Sequence, residues 1–181
     1  SLSLGSLPER LEVSGQYAYV TDSGSADLKI IDLRDPSRPR LVDSVAMANV
    51  SELALQGKYL YVLDRFSNDL NVFDVTNPTN VVELTSFGIG GTPISLALSG
   101  RYAYVVDSSS DDLKIIDISN PASLTLMGTT SLGASPAKVV VSGRYAYVVD
   151  QTSDDLKIID VASSTRPVRI GSRSVNGSGT V

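Results

Sequence analysis

SGRYAYVVDSSSDDLKIIDI, at residues 99–118, is the stretch that decides the fold of this chain. Close copies of it stand at 14–33, 56–75 and 142–161. The glycine of its opening turn recurs every 42 or 43 residues, at Gly15, Gly57, Gly100 and Gly143. Because this interval holds over nearly the whole chain, the sequence indicates four structural repeats of one kind.

Each repeat contains four short segments with the composition of β-strands. In the third repeat the first segment, 95–99, ends at the turn glycine, and the second, 102–105, follows at once. The third segment, 113–117, is rich in β-branched residues, and the fourth, at about 124–130, is weaker and is expected at a wetted edge. The second and third segments are apolar on both sides, so each sheet is expected to lie between other layers.

The pattern predicts an all-β fold, a β-propeller in which each 42–43-residue repeat forms one four-stranded antiparallel blade. The repeats are predicted at about 8–48, 49–91, 92–134 and 135–176, within one propeller domain, or part of one, over residues 1–181. Three arrangements stay open: a fragment of a larger propeller, a half-ring that pairs with a second copy into an eight-bladed ring, and a closed four-bladed ring. A half-ring would leave two apolar blade faces in water, which predicts association.

Composition narrows the classes of function. The net charge of −5 and the absence of basic runs disfavour binding to a nucleic-acid backbone. No apolar run reaches the length of about 18 residues that a membrane span needs, and the opening SLSLGSL lacks the basic flank of a signal sequence. The chain has no histidine and no cysteine, which excludes Ser-His-Asp and Cys-His catalysis and the commonest zinc sites.

The phrase S-G-x-Y-A-Y-V-x-D, followed by D-L-x-I-I-D and an Asx-Pro turn, resembles the LVIVD-repeat proteins of bacteria and archaea. The resemblance covers about residues 8–171 and implies the same propeller fold. It also implies an extracellular or cell-surface location, and it assigns no activity. The second repeat departs most from the phrase, with Arg65 and Phe66 in the loop between its second and third strands.

The same loop is rich in aspartate in the third and fourth repeats. Its oxygen-bearing residues have the spacing of the first half of a calcium loop, but a glycine and a closing glutamate are missing. The candidate metal ligands are Asp107, Ser109, Asp111, Asp150, Thr152 and Asp154. The competing interpretation, which we favour, is that these side chains cap backbone groups of a tight hairpin. No cofactor is expected, with calcium kept as the alternative.

Residues that break the repeat are the candidates for binding. Arg65 and Phe66 combine an arginine with an aromatic ring, a frequent anchor in interfaces. Met47 and Asn49, in the loop that joins two blades, and Gln151 are predicted to lie on the same face. The aspartate that ends the third strand of every repeat is assigned to the capping of the next turn, and the tyrosines are assigned to the core.

The resulting hypothesis is a non-catalytic scaffold or binding module that recognises a protein or glycan partner at a cell surface. No catalytic residue is assigned, because the four repeats are nearly identical and an enzyme needs an asymmetric polar cluster. Two alternatives are kept: an enzyme or small-ligand sensor that uses carboxylates or a metal on the acidic loop face, and a purely structural segment of a larger surface protein. The sequence also predicts no nucleic-acid partner and no membrane insertion.

Overall fold

The computed structural model describes residues 2–47, 49–133 and 135–174, and within them it contains sixteen β-strands and no helix. Blade 1 consists of β1 (Pro8–Ser14), β2 (Tyr17–Asp22), β3 (Asp27–Asp32) and β4 (Arg40–Ala46). Blade 2 consists of β5 (Val50–Gln56), β6 (Tyr59–Asp64), β7 (Asp69–Asp74) and β8 (Val82–Gly88). Blade 3 consists of β9 (Pro93–Ser99), β10 (Tyr102–Asp107), β11 (Asp112–Asp117) and β12 (Thr125–Ser131). Blade 4 consists of β13 (Pro136–Ser142), β14 (Tyr145–Asp150), β15 (Asp155–Asp160) and β16 (Val168–Ser174).

Each blade is a separate four-stranded sheet in which neighbouring strands in the chain are antiparallel neighbours in space. The all-β fold of four antiparallel blades, one per repeat, is therefore confirmed. Gly100 shows why the turn between the first two strands of a blade requires glycine, because its φ is +58° and disfavours other residues. The predicted end of the fourth repeat, at 176, lies outside the described residues.

The two sides of a blade differ in their side chains. We call the side that carries the tyrosines of the second strand the tyrosine face, and the opposite side the valine face. In blade 3, for example, Tyr104 lies on the tyrosine face and Val105 on the valine face, because successive side chains of a strand alternate. Both faces of the second and third strands are apolar and buried in most blades, as the sequence predicts.

The chain divides into two compact units, residues 1–88 with blades 1 and 2, and the part from Ile89 onward with blades 3 and 4. In the first unit the tyrosine face of blade 1 packs against the valine face of blade 2. The core at this contact includes Tyr19, Leu28, Ile30, Leu60, Val62 and Phe73. The second unit repeats the contact between blades 3 and 4 with Tyr104, Leu113, Ile115, Ala146, Val148 and Ile159.

The fourth strand of each blade lies at one edge of its sheet and is largely exposed, which agrees with its weak pattern. The first strand lies at the other edge, and in the first unit β1 contacts β5. Likewise β9 contacts β13 in the second unit. The first strands of paired blades therefore lie side by side. The described residues contain no helix that could cross a membrane.

Candidate functional site

The aspartate at the end of each second strand organises the loop that follows it. Asp107 Oδ1 accepts hydrogen bonds from the backbone N–H groups of Ser109 at 2.9 Å and Ser110 at 3.1 Å, and also from Thr92 at 2.9 Å. The carboxylate thus ties its own turn to the segment that enters the blade. Asp22, Asp64 and Asp150 accept equivalent bonds from the N–H groups two and three residues later.

A lysine of the third strand pairs with this aspartate in three of the blades. Lys114 Nζ lies 2.9 Å from Asp107 Oδ2 and 2.8 Å from Asp112 Oδ1, and only 10% of its side chain is exposed. Lys29 and Lys157 form the same buried pair with Asp22 and Asp150. Burial raises the pKa of Asp107, but the N–H of Thr92 and the ammonium of Lys114 outweigh it, so the pKa lies well below its usual range.

The candidate metal ligands belong to these hydrogen-bonded hairpins. Asp107 and Asp150 are buried and hold backbone N–H groups and a lysine, and Ser109 Oγ donates to Asp107. Asp111 Oδ1 accepts the N–H of Ser135 at 2.9 Å. Thr152 donates its N–H to Asp150, and Asp154, with a φ of +51°, lies in the same loop. Within the described parts of the chain no three carboxylates come together as a metal site, and calcium binding stays a prediction.

The candidate binding residues divide into exposed and buried ones. Phe66 is 78% exposed, and its N–H donates to Asp64 at 2.7 Å. The N–H of Arg65 donates to the carbonyl of Asn49, so these two residues are neighbours. Gln151 is exposed in the corresponding loop of blade 4. Met47 is instead buried in the core between blades 1 and 2, because its side chain is apolar and its N–H is bound by Ala26 O.

The aspartate that ends each third strand caps the following turn, as expected from the sequence. Asp117 Oδ1 accepts the N–H of Ser119 at 2.9 Å. Asp32, Asp74 and Asp160 likewise accept the backbone N–H of the residue two positions later. Asp117 also pairs with Arg101, whose guanidinium lies over the ring of Tyr102 at 5.4 Å. Blade 1 has Gln16 in place of this arginine, and Arg34 pairs with Asp32 instead.

Because these aspartates pair with arginines, we expect the protein to lose stability in acid. The side-chain hydrogen bond from Arg101, with help from Ser119, lowers the pKa of Asp117 from its ordinary 3.8 to about 2. The unfolded chain therefore binds a proton at this site more readily than the folded chain does. Stability from this pair should be complete above about pH 5 and should be lost as the pH falls toward 2. Thermal unfolding at pH 7 and pH 3 checks this, and the decrease in melting temperature should be smaller for Asp117→Asn. An equal decrease in both proteins would contradict it.

A polar repeat position that the sequence analysis missed lies near the start of each first strand. One repeat position carries Arg10, Glu52, Ser95 and Lys138 in the four blades. We call these four residues the inner-strand row. In the first unit Arg10 Nε lies 3.8 Å from Glu52 Oε1 and donates to the carbonyl of Ser51 at 2.9 Å. The side chain of Arg10 is 46% exposed, whereas that of Glu52 is 14% exposed.

In the second unit the same row holds a hydroxyl and an ammonium. Ser95 is fully buried, and its Oγ accepts the N–H of Val139 at 3.3 Å, which joins the first strands of blades 3 and 4. Lys138 is exposed beside it. The sequence signal was available, because this position changes from cation to carboxylate to hydroxyl while its apolar neighbours stay apolar. The polar group at this position therefore differs from blade to blade, and such asymmetry is the property that the sequence analysis required of an enzyme.

Comparison with known proteins gives a family and a fold. A family model described as LVIVD repeat matches residues 9–47, 48–88, 90–131 and 135–174. A search of curated proteins gave no match. Among solved structures, a periplasmic gluconolactonase from Pseudomonas aeruginosa is 21% identical, with a TM-score of 0.77 over 89% of this chain and 52% of its own.

Two further structures are provisionally assigned as 6-phosphogluconolactonases. The one from Bacteroides fragilis is 15% identical, with a TM-score of 0.80 over 93% of this chain and 55% of its own. The one from Bacteroides uniformis is 16% identical, with a TM-score of 0.79 over 89% of this chain and 52% of its own. The chain thus spans about half the length of these structures, and the likeness shows their fold.

The prediction of a non-catalytic binding module is wrong. It took the near identity of the four repeats as evidence against catalysis. Proteins with lactonase names share this architecture, so the fold does not argue against catalysis. The physical reason is that the apolar residues of the strands determine the fold of a blade, whereas catalysis needs only a few polar side chains. The inner-strand row shows such positions in this chain.

Proposed function

This chain belongs to the LVIVD repeat family, and from that premise we propose that it is part of an exported enzyme that hydrolyses a sugar lactone. The observation that carries the proposal is the Arg10 and Glu52 pair on adjacent first strands of the first unit. The proposal is supported by the lactonase names among the structures with this fold. The exported location is supported by the periplasmic description of one of them.

A lactone is a cyclic ester, and the pair supplies the two groups that its hydrolysis needs. In the proposed reaction Glu52 accepts a proton from a water molecule, whose oxygen attacks the carbonyl carbon of the ester. The guanidinium of Arg10 stabilises the negative charge that develops on the carbonyl oxygen. The bond from that carbon to the ring oxygen then breaks, and the ring oxygen takes up the proton.

Exposure of the two side chains fits these roles. Glu52 is mostly shielded, which limits competing hydration of the carboxylate, and Arg10 is about half exposed and can meet a ligand. The open-chain product carries a carboxylate, which a guanidinium binds with two parallel hydrogen bonds. A charged product would therefore be held at Arg10. Histidine is not required for this mechanism, so its absence from the chain does not exclude it.

The test is the opening of glucono-δ-lactone by the purified protein, followed as proton release above the buffer rate. Glu52→Gln should lower kcat/KM by about 100-fold, because a general base contributes at least that factor. Arg10→Met should lower it by a similar factor. Glu83→Gln and Arg173→Met, at exposed positions of the fourth strands, are the matched controls and should leave the rate unchanged.

Two results would contradict the proposal. One is a wild-type protein that does not accelerate the reaction. The other is an equal loss of activity in the control variants, which would assign the effect to general damage. Thermal unfolding of each variant separates a local loss of chemistry from a loss of fold.

A further inference from the structure

The valine face of blade 1 is exposed at positions that the repeat buries elsewhere. Leu11, on β1, is 63% exposed, whereas its counterparts Leu53 in blade 2 and Val139 in blade 4 are 4% and 1% exposed. Leu53 packs against blade 1, and Val139 packs against blade 3. Val13, on the same face, is 54% exposed. Blade 1 therefore presents one half of the contact that joins blades within each unit.

The tyrosine face of blade 4 presents the other half. Val149 is 41% exposed, whereas its counterpart Val106 in blade 3 is fully buried against blade 4. Val140 and Ile170, on the same face, are 57% and 56% exposed. Tyr147 is half-buried although the equivalent tyrosines of the other three blades are buried. Within each unit, the corresponding apolar surface is buried between two blades.

We propose that the valine face of blade 1 binds the tyrosine face of blade 4 of a second copy of this chain. The contact would continue the established interface, because the same repeat positions form it twice within the chain, between blades 1 and 2 and between blades 3 and 4. Each copy carries one face of each kind, so the association is head to tail. Two copies use all four faces and contain eight blades.

The segment ahead of blade 1 supports an occupant of this kind. Leu4 occupies the repeat position of Leu132, which is fully buried in the core between blades 3 and 4. Gly5 and Gly133, which follow them, both have positive φ angles, of 106° and 80°. Leu2 and Leu4 pack against Ala18, Val20 and Ile31 at the valine face. The segment thus runs along blade 1 as a linker between two blades does, and it leaves part of the valine face exposed.

A second copy, rather than an unrelated protein, is the occupant that the surfaces of the chain itself favour, because each copy carries both halves of the contact. The proposal concerns assembly and does not require the lactonase chemistry, so the two are tested by separate measurements.

Native mass spectrometry and sedimentation of the purified chain test the proposal. The wild type should be a dimer at micromolar concentration. Leu11→Glu and Val149→Glu should each raise the dissociation constant at least about 100-fold, because each places a charge in an apolar contact. Both residues are exposed in the single chain, so the fold should survive. Leu126→Glu is the matched control, since the equivalent exposed position of the second repeat already carries Glu83, and it should not change the mass.

Mixing the two variants tests the head-to-tail arrangement. Each variant alone has a damaged face in both contacts of the dimer. A mixture restores one contact, because the intact face of blade 1 in Val149→Glu can meet the intact face of blade 4 in Leu11→Glu, while the other contact carries both charges. The expected result is a heterodimer that is more stable than the homodimer of either variant and less stable than the wild-type dimer. A wild type that stays monomeric, a mixture that stays monomeric, growth into longer oligomers, or dissociation of Leu126→Glu would each overturn the proposal.

Discussion

Replacing Lys114 by methionine should lower the free energy of unfolding by about 3–5 kcal/mol, because it breaks a buried ion pair and leaves one charge without its partner. The side chain of Asp107 is fully buried, and Lys114 Nζ bonds to Asp107, Ser110 and Asp112 at 2.8–2.9 Å. Asp107 still accepts the backbone bonds of its turn in the variant. Its pKa should therefore rise while the loop keeps its conformation.

The control for this prediction is Lys58→Met. Lys58 pairs with Asp74 at 3.2 Å, but its side chain is 54% exposed, so the pair should contribute far less to stability than the buried pair of Lys114. Both substitutions remove the same ammonium group from a third-strand or turn position and keep a long side chain. Urea unfolding at pH 7 compares them. Equal destabilisation would show that burial does not set the strength of these pairs.

The strands were predictable from the sequence because their pattern is local. A tyrosine pair after a turn glycine and a β-branched run before Asx-Pro define two strands in each repeat, and four copies make chance agreement negligible. The role of Asp117 and its equivalents was also predictable, since a residue that recurs in every repeat serves the repeat. Its pairing with Arg101 was not, because that contact joins two different turns of the blade.

The buried lysines show what the pattern left out. Lys29, Lys114 and Lys157 stand among apolar neighbours in their strands, which should have indicated buried partners. Their partner is the aspartate seven residues earlier. In the third and fourth repeats the sequence analysis assigned this aspartate to hairpin capping or to a metal. The register of the two strands brings these groups together, because Lys114 is opposite Val105, two residues before Asp107 and on the same face. The capping interpretation was therefore right but incomplete.

The inner-strand row was missed for a different reason. The hypothesis placed binding residues in loops, where exposed residues change freely, and it assigned the first strand of each repeat to an apolar run. The only feature shared by its members is their repeat position, which carries Arg10, Glu52, Ser95 and Lys138. That they adjoin in pairs depends on the contact between first strands of neighbouring blades, which the repeat pattern alone does not give.

The second large effect is expected at Gly128, where valine should lower the free energy of unfolding by about 3 kcal/mol, the upper end of the range for overpacking. A Cβ at this position would lie 2.6 Å from the backbone oxygen of Ser164 and about 3 Å from backbone atoms of Thr165. Backbone atoms cannot move aside as a flexible side chain can. The loop before β16 would have to shift away from β12, and the contact between blades 3 and 4 would be weakened.

The repeat provides an internal control for this glycine. Gly171 occupies the same repeat position in blade 4, and a Cβ there would meet no atom within 4 Å. In the single chain, valine at 171 should be neutral or should stabilise the protein by up to about 1 kcal/mol, since glycine weakens a strand. Both valine variants are therefore measured in the Leu11→Glu background, in which no second copy covers this face of blade 4. In blade 1 the position is Asp43, whose carboxylate accepts the N–H of Val81 at 2.8 Å, so close approach of the next blade's loop recurs with different chemistry. Urea unfolding of the two valine variants measures the difference directly. If both variants lose the same stability, the cost arises from the strand itself and the close approach of the blades at Gly128 is not what requires glycine.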